Sequence, residues 1–534
     1  MLQTKFIERT KELLREEYDA FEAALDTLPP VSIRVNQHKR PEVALPHEDE
    51  CSFKENILHV EAEHRFSGNV PWCKTGRYLP KRPSFTFDPL FHAGTYYVQE
   101  AASMFLEQAV MKIIAKNVIS SELTCEEPSS TSGQKAMTAL DLCAAPGGKS
   151  TLMQTLLPED SLLVSNEVIR SRSMILAENM TKWGLPNNIV TNNDPKDIGQ
   201  LTHFFDIILA DLPCSGEGMF RKDAASRDEW SVDNVKLCAS RQRRIIHDVW
   251  NALKPGGWLI YSTCTFNTEE NEDNVYALAA ELGAELVSIP VKEEWNIADA
   301  QYPANRAQEK PGDETLTTDA SHCNKSVYRF FPHRTKGEGF FLALMQKNGT
   351  PQEAIKTKEK TKNSTQPTTI PEQIKNMLSN PEKFTFYASK KFTPESIQPT
   401  KQQTKRAQET TTINAIPEIH KDIYNQLSKQ LNIISAGIFM GELKGKDFIP
   451  ATPLAMSTEL QKEAFISVDL PYEQAIKYLQ REAITMPKET PTGYTLITFK
   501  NTPLGFAKNI GNRANNLYPQ EWRIRSATAP SNKP

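Results

Sequence analysis

Five short apolar runs, each ending in polar residues, mark the middle of the chain at 137–142, 162–167, 188–194, 205–211 and 257–263. Between them apolar positions recur at helical spacing, as over 171–183 and 233–253. Strands that alternate with helices predict a parallel sheet with helical crossovers, so 93–347 reads as one α/β domain. Two further strands, 327–332 and 339–345, are separated by a short Lys/Gly/Glu turn. Residues 116–135 and 299–323 are polar and read as loops.

The flanks follow other patterns. Phe6, Ile7, Leu13, Leu14, Tyr18, Phe21 and Leu25 predict an amphipathic helix over 4–27, packed on its own domain and stopped by Pro29-Pro30. A Pro- and aromatic-rich stretch to His92 completes a small α+β domain, 1–92. Its Arg34, Lys74, Arg77, Lys81 and Arg82 are candidates for a basic surface. Over 348–412 Lys, Thr, Gln, Pro and Glu dominate, a composition that buries too little to offset ordering and predicts a flexible linker. Hydrophobic periodicity returns in 413–534, where 437–441 and 494–499 read as strands of a β-rich module.

Composition narrows the function classes. The 534 residues leave room for three or four domains. A formal charge of −4 excludes a chain that coats nucleic acid by net charge, so any RNA contact is local. The eight cysteines form no CxxC pair, which argues against structural zinc, against any metal centre built on them and against a disulfide framework. No apolar run approaches the ~20 residues of a membrane span. Glu8, Glu12, Glu16 and Glu17 argue against a transit peptide, so the cytoplasm is the expected location.

The first apolar run enters Asp141-Leu142-Cys143-Ala144-Ala145-Pro146-Gly147-Gly148-Lys149. Glycines at such a turn let backbone approach a ligand, and the helix beyond offers free N–H groups. The turn lacks the first glycine of an ATP phosphate loop and also lacks G-x-G-x-x-G. Glu167, Asp194 and Asp211 end the next three runs, and acids at successive strand tips converge on one crevice, where an acid after the second strand suits a ribose diol. Each acid alone reads first as a loop cap; together they fit S-adenosylmethionine. Cys214, in Asp211-Leu212-Pro213-Cys214-Ser215-Gly216, and Cys264, in Ser262-Thr263-Cys264-Thr265, follow adjacent strands and so share one pocket. Two thiols beside such a turn suit methylation of a pyrimidine at C5, where a thiolate must first add to C6. Lys149 is expected near both the cofactor and the base, lowering a thiol pKa, and Asp211 near the cytosine ring. Cys51, Cys73, Cys125, Cys143, Cys238 and Cys323 read as structural thiols. Asn271 reads as a helix cap. Arg241, Arg243, Arg244 and His247 line the helix over 237–250 as possible phosphate contacts.

These motifs resemble those of the RNA (cytosine-5)-methyltransferases of the Sun/nucleolar-protein superfamily, nearest its bacterial ribosomal-RNA, RsmF-like branch. The 6–39 segment with Pro29-Pro30-Val31-Ser32-Ile33-Arg34-Val35-Asn36 resembles that branch's N-terminus. The run from Tyr96 to Met104 resembles the helix entering the catalytic domain, and the tail from about Ile413 its PUA-like RNA-binding module. The resemblance implies a Rossmann-like S-adenosylmethionine-dependent domain with an N-terminal α+β domain and a C-terminal PUA-like domain. It implies that Cys143, Ala144, Ala145, Pro146, Gly147, Gly148, Lys149, Glu167, Asp194 and Asp211 bind the cofactor, with Asp194 at the adenine amine. It makes the 327–332 and 339–345 strands the hairpin that closes the sheet. It assigns Cys264 as nucleophile and Cys214 to adduct release; DNA cytosine-5 methyltransferases instead use the Pro-Cys thiol, here Cys214. A monomer acting on ribosomal RNA is the expectation. The rivals are a transfer-RNA or DNA cytosine methyltransferase and a non-catalytic ribosome-assembly factor.

Overall fold

The structure is a computed structural model and describes residues 2–39, 66–123, 135–299, 327–349, 367–392, 409–511 and 513–526. Strands β1 (Val31–Val35), β2 (Gly68–Asn69), β3 (Gly76–Leu79) and β4 (Tyr96–Val98) form an antiparallel N-terminal sheet in the order β2-β3-β1-β4. The central sheet is built on five parallel strands: β5 (Thr138–Asp141), β6 (Leu162–Asn166), β7 (Asn188–Thr191), β8 (Phe205–Asp211) and β9 (Leu253–Thr263). Their order, β9-β8-β5-β6-β7, reverses at β5. The crevice outside the carboxyl ends of β5 and β8 is therefore a topological switch point, the usual place for a ligand in an open α/β sheet.

Beyond β9 the sheet continues antiparallel. Strand β10 (Ala284–Leu286) pairs with β13 (Phe340–Lys347), and β11 (Ala298–Asp299) and β12 (Val327–Phe330) lie outside β13. The apolar runs thus all become strands, including the hairpin of β12 and β13. Both faces of this sheet are covered by buried side chains, one by the helix that begins at Leu106 and the other by Val232–Val249.

Several expectations need correction. The N-terminal helix is two, Thr4–Leu14 and Tyr18–Leu25, joined by a 3-10 turn at Arg15–Glu17. They do not pack on their own domain. Phe6 meets Phe220 and Trp230 edge-on at 5.1 and 5.5 Å, and Phe21 meets Phe266 at 5.0 Å, so the pair covers the loops that follow the thiols. The boundary at 92 cuts the N-terminal sheet, because β4 pairs with β1; Tyr96 opens a strand rather than a helix. Arg34 and Arg77 are buried, so they cannot serve a basic surface, and Lys74, Lys81 and Arg82 remain exposed. The loop expected at 116–135 is helical to Leu123, and the helix expected over 233–253 gives way to β9 at Leu253. The loop expected at 299–323 lies outside the described residues except Asp299.

The linker reading is corrected too. Within 348–412, β14 (Phe384–Phe392) pairs along its whole length with β15 (Glu409–Pro417). Its Phe384 and Phe386 enter a core with Ile413, Met440, Leu496 and Phe506, the few aromatics that the composition argument discounted. Strand β16 (Ile433–Ala436) then leaves the C-terminal region altogether and pairs antiparallel with β7, extending the central sheet. Strands β17 (Ile438–Lys444) and β18 (Asp447–Pro450) complete the sheet of β14 and β15. Strands β19 (Ile466–Asp469), β20 (Gly493–Phe499), β21 (Thr502–Asn509) and β22 (Ala514–Asn516) form a fourth. That last sheet shares one core with the N-terminal domain: Ile33, Leu79, Phe85 and Leu90 pack in the same cluster as Val468, Leu470, Tyr478 and Leu479. The C-terminal region is docked, not tethered. No helix among the described residues is long and apolar enough to cross a membrane.

Candidate active site

Strand β5 ends at Asp141 and the chain turns sharply. Leu142 N–H donates to Leu209 O (2.9 Å) and Ala144 N–H to Asn166 O (2.8 Å), so the turn hangs between the tips of β8 and β6. Gly147, at the start of the helix Gly148–Leu156, has φ +117°, a conformation that L side chains rarely adopt. Arg172 donates to Ala145 O (2.8 Å) and Asn179 to Pro146 O (2.7 Å), bracing the turn from the helix Arg170–Trp183. Arg34, fully buried on β1, donates to Gln99 (3.0 Å), to Gly148 O (3.3 Å) and to Thr151, with its guanidinium 4.3 Å from the Trp183 ring centroid. The N-terminal domain therefore helps to fix the glycine turn.

The acids divide by environment. Asp141 is buried; Oδ2 accepts from Ser150 Oγ (2.6 Å), while Oδ1 has no partner among the described residues. Burial, outweighing that hydrogen bond, pushes its carboxyl up to about 7. Glu167 is buried directly after β6, where Oε1 accepts from Ile169 N–H (2.9 Å) and Oε2 lies 3.4 Å from Arg172. Asp194 is exposed and caps the helix Pro195–Gly199, accepting from Lys196 N–H (3.0 Å). Its neighbours are held from the C-terminal region: Asn193 Oδ1 accepts from Asn432 N–H (2.9 Å), and Asn192 N–H donates to Asn432 O (3.0 Å).

Asp211 ends β8 opposite Ser262 of β9. One oxygen accepts from Ser262 Oγ (2.8 Å) and the other from Lys149 Nζ (2.8 Å). Burial pulls the Lys149 ammonium down, but Asp211 outweighs it and holds it above its ordinary value. Lys149 is thus paired to a carboxylate at the tip of β8. Just beyond, Cys214 Sγ lies 3.3 Å from Cys264 Sγ. The contact with Cys264, together with burial, holds the Cys214 thiol well above its usual range. Cys143 is also pushed up by burial and by the carboxylates of Asp141, Asp211 and Glu167. Burial raises Cys73 to about 12 and Cys238 to about 11, as suits structural thiols. Cys51, Cys125 and Cys323 lie outside the described residues.

The helix cap expected of Asn271 is corrected. Its side chain makes no cap on Glu272–Leu282; it bonds instead to Thr263 and Thr265. With Glu217, Gln242, Asn267 and Glu270 it belongs to a buried polar network between the two cysteine loops. The sequence reading missed this network, although all six residues after Phe266 are polar, a run that could have signalled it. On the helix Val232–Val249, Arg243 is bound to Asn274 (2.6 Å) and His247 to Glu281 (3.0 Å), while Arg241 and Arg244 stay exposed. Among the described residues no group of His, Cys, Asp and Glu is arranged to hold a metal ion.

Comparison with known proteins gives three family models in chain order. The N-terminal domain of 16S rRNA methyltransferase RsmF matches residues 2–101, 16S rRNA methyltransferase RsmB/F matches 131–346, and the methyltransferase RsmF PUA domain matches 465–524. Ribosomal RNA small subunit methyltransferase F of Shewanella loihica is 28% identical over 85% of this chain and 83% of its own. The protein of that name from Photobacterium profundum is 27% identical over 97% of this chain and 96% of its own. Among solved structures, a methyltransferase homolog protein from Pyrococcus horikoshii is 25% identical, covers 65% of this chain and 95% of its own, and has a TM-score of 0.46.

Proposed function

We propose that this chain, which belongs to the RsmF-like branch of the RsmB/F methyltransferases, methylates carbon-5 of a cytosine in ribosomal RNA with S-adenosylmethionine as methyl donor. The observation that carries the reading is the pair of thiols 3.3 Å apart, beside the Lys149–Asp211 ion pair and at the mouth of the switch-point crevice.

The crevice suits the cofactor. The unpartnered Asp141 Oδ1 beside the glycine turn is an acceptor for an ammonium, and Glu167 is an acceptor for a ribose diol at the place where doubly wound folds bind one. Residues Cys143 to Lys149, Glu167, Asp194 and Asp211 would hold S-adenosylmethionine, with exposed Asp194 at the adenine amine. When bound, it supplies an electrophilic methyl group.

The chain's own residues do the rest. Cys264 adds as thiolate to C6 of the cytosine, and the displaced electron pair makes C5 the nucleophile that takes the methyl group. Asp211, partly exposed and held by Ser262 and Lys149, accepts a hydrogen bond from the exocyclic amine or protonated N3, drawing electrons from the ring as C6 accepts sulfur. Loss of the C5 proton then expels Cys264 as thiolate. Cys214, 3.3 Å from Cys264, gives its thiol proton to solvent and as thiolate is the base for that proton. A stacked base hides C6, so the target nucleotide is unpaired or flipped out, at a cost of a few kcal/mol. The working form in this reading is a cytoplasmic monomer acting on ribosomal RNA or its subunit.

The test is product identity. Incubation with ribosomal RNA and methyl-labelled S-adenosylmethionine, then digestion to nucleosides and mass spectrometry, is expected to place the label in 5-methylcytidine. Label in any other nucleoside, or none with either naked RNA or small subunits, overturns the reading.

A further inference from the structure

Cys214 and Cys264 sit on loops that leave two neighbouring strands, and nothing in either loop alone fixes a sulfur–sulfur distance. Two adjacent buried residues span the gap. Asn271 is bonded on both flanks of Cys264: Thr263 Oγ1 donates to its Oδ1 (2.6 Å), and its Nδ2 donates to Thr265 O (3.0 Å). Glu270 grips the other loop. Its Oε2 accepts from Ser215 N–H (2.9 Å), the amide that follows Cys214, and from Gln242 Nε2 (2.8 Å). Its Oε1 accepts from Asn267 Nδ2 (2.8 Å).

The loops are tied again around this centre. Ser215 Oγ lies 2.9 Å from Thr265 Oγ1, and Gln242 also donates to Pro213 O (3.0 Å). Glu217, three residues past Cys214, accepts from Phe266 N–H (2.7 Å) and Asn267 N–H (2.9 Å) on the far loop. Glu270 and Asn271 are fully buried, and their side-chain hydrogen bonds go to neighbours of the thiols rather than to sulfur. A buried polar network with its members satisfied is rigid, which is what a two-sulfur geometry demands.

We propose that Glu270 and Asn271 are a pair of positioning residues: Asn271 sets Cys264 for attack on C6, and Glu270 sets Cys214 for release of the adduct. This rests on the thiol roles proposed above. The two residues are adjacent in the chain, so one segment sets both thiols at once.

The full-length protein is assayed with ribosomal RNA for kcat, RNA KM, cofactor affinity and melting temperature, and for covalent protein–RNA conjugate on denaturing gels. A misplacement of about 1 Å costs roughly a hundredfold in rate. Asn271→Ala is therefore expected to lose roughly a hundredfold in kcat, with KM and cofactor affinity within about threefold. Asn271→Asp keeps the acceptor for Thr263 and loses the donor to Thr265, and should recover part of that loss. If Asn271→Ala does not fold, Asn271→Asp carries the same kcat-against-KM comparison. Glu270→Gln must turn an amide N–H₂ toward Ser215 or Asn267 and should accumulate conjugate, as is expected of Cys214→Ala. A purely structural role would lower kcat in step with folded fraction and trap no conjugate in Glu270→Gln; that result overturns the proposal. Absence of conjugate in Cys214→Ala itself would instead sink the thiol assignment, and this inference with it.

Discussion

Replacing Cys264 with alanine should cut methyl transfer by at least about a thousandfold and leave S-adenosylmethionine affinity within a few-fold. Without a sulfur bond at C6, C5 of cytosine has no electron pair to offer, so the loss falls on the chemical step. Most residues proposed to hold the cofactor are elsewhere: the glycine turn, Glu167 and Asp194 follow β5, β6 and β7, whereas Cys264 follows β9. Turnover on ribosomal RNA and calorimetric cofactor titration, run in parallel on wild type and Cys264→Ala, check both halves. Retained turnover here, with loss in Cys214→Ala, would make Cys214 the nucleophile, as in the DNA enzymes.

Deleting 409–534 should destroy the folded catalytic domain rather than merely weaken RNA binding. A tethered module would leave cofactor affinity untouched, and the linker composition pointed that way. The structure points the other way. Val468, Leu470, Tyr478 and Leu479 complete the core under Ile33, Leu79, Phe85 and Leu90, and β16 covers the β7 edge of the central sheet. Exposing several such side chains, each worth about 1.5–3 kcal/mol, costs on the order of 10 kcal/mol, comparable to the whole stability of a domain. The truncated chain should aggregate or melt well below the intact protein and bind S-adenosylmethionine poorly, by calorimetry and circular dichroism. A soluble truncated chain with intact cofactor affinity and weakened RNA binding would restore the tethered-module picture.

Local pattern carried much of this molecule, and it failed where tertiary contacts decide. Leu162–Asn166 and Phe205–Asp211 are apolar runs buried on both faces, a pattern that burial itself imposes, so the parallel core was legible. The strand-tip positions followed from it, since Asp141, Glu167, Asp211, Cys214 and Cys264 each lie at or just past the end of a legible strand. Arg34 was not legible, because a buried arginine and a solvated one are spelled alike. Phe384 and Phe386 sit in a polar stretch and gain their core from Ile413 and Met440, which come later in the chain. Ile433–Ala436 reads as any short strand, and nothing local says that its partner is Ile189–Thr191, over two hundred residues earlier. Asn271 occupies a cap position, and only the fold brings Thr263 and Thr265 to its amide.

The covalent bond between Cys264 and the cytosine is the central claim, and trapping it is the most direct measurement. Cys214→Ala, incubated with ribosomal RNA and S-adenosylmethionine, should lose the base for the C5 proton and accumulate a protein–RNA conjugate that survives a denaturing gel. Nuclease and protease digestion followed by mass spectrometry should find a methylated cytidine attached to the peptide containing Cys264. The conjugate should vanish in the Cys214→Ala/Cys264→Ala double variant. A conjugate that persists in the double variant, or a nucleotide attached to any other residue, would contradict Cys264 as the nucleophile.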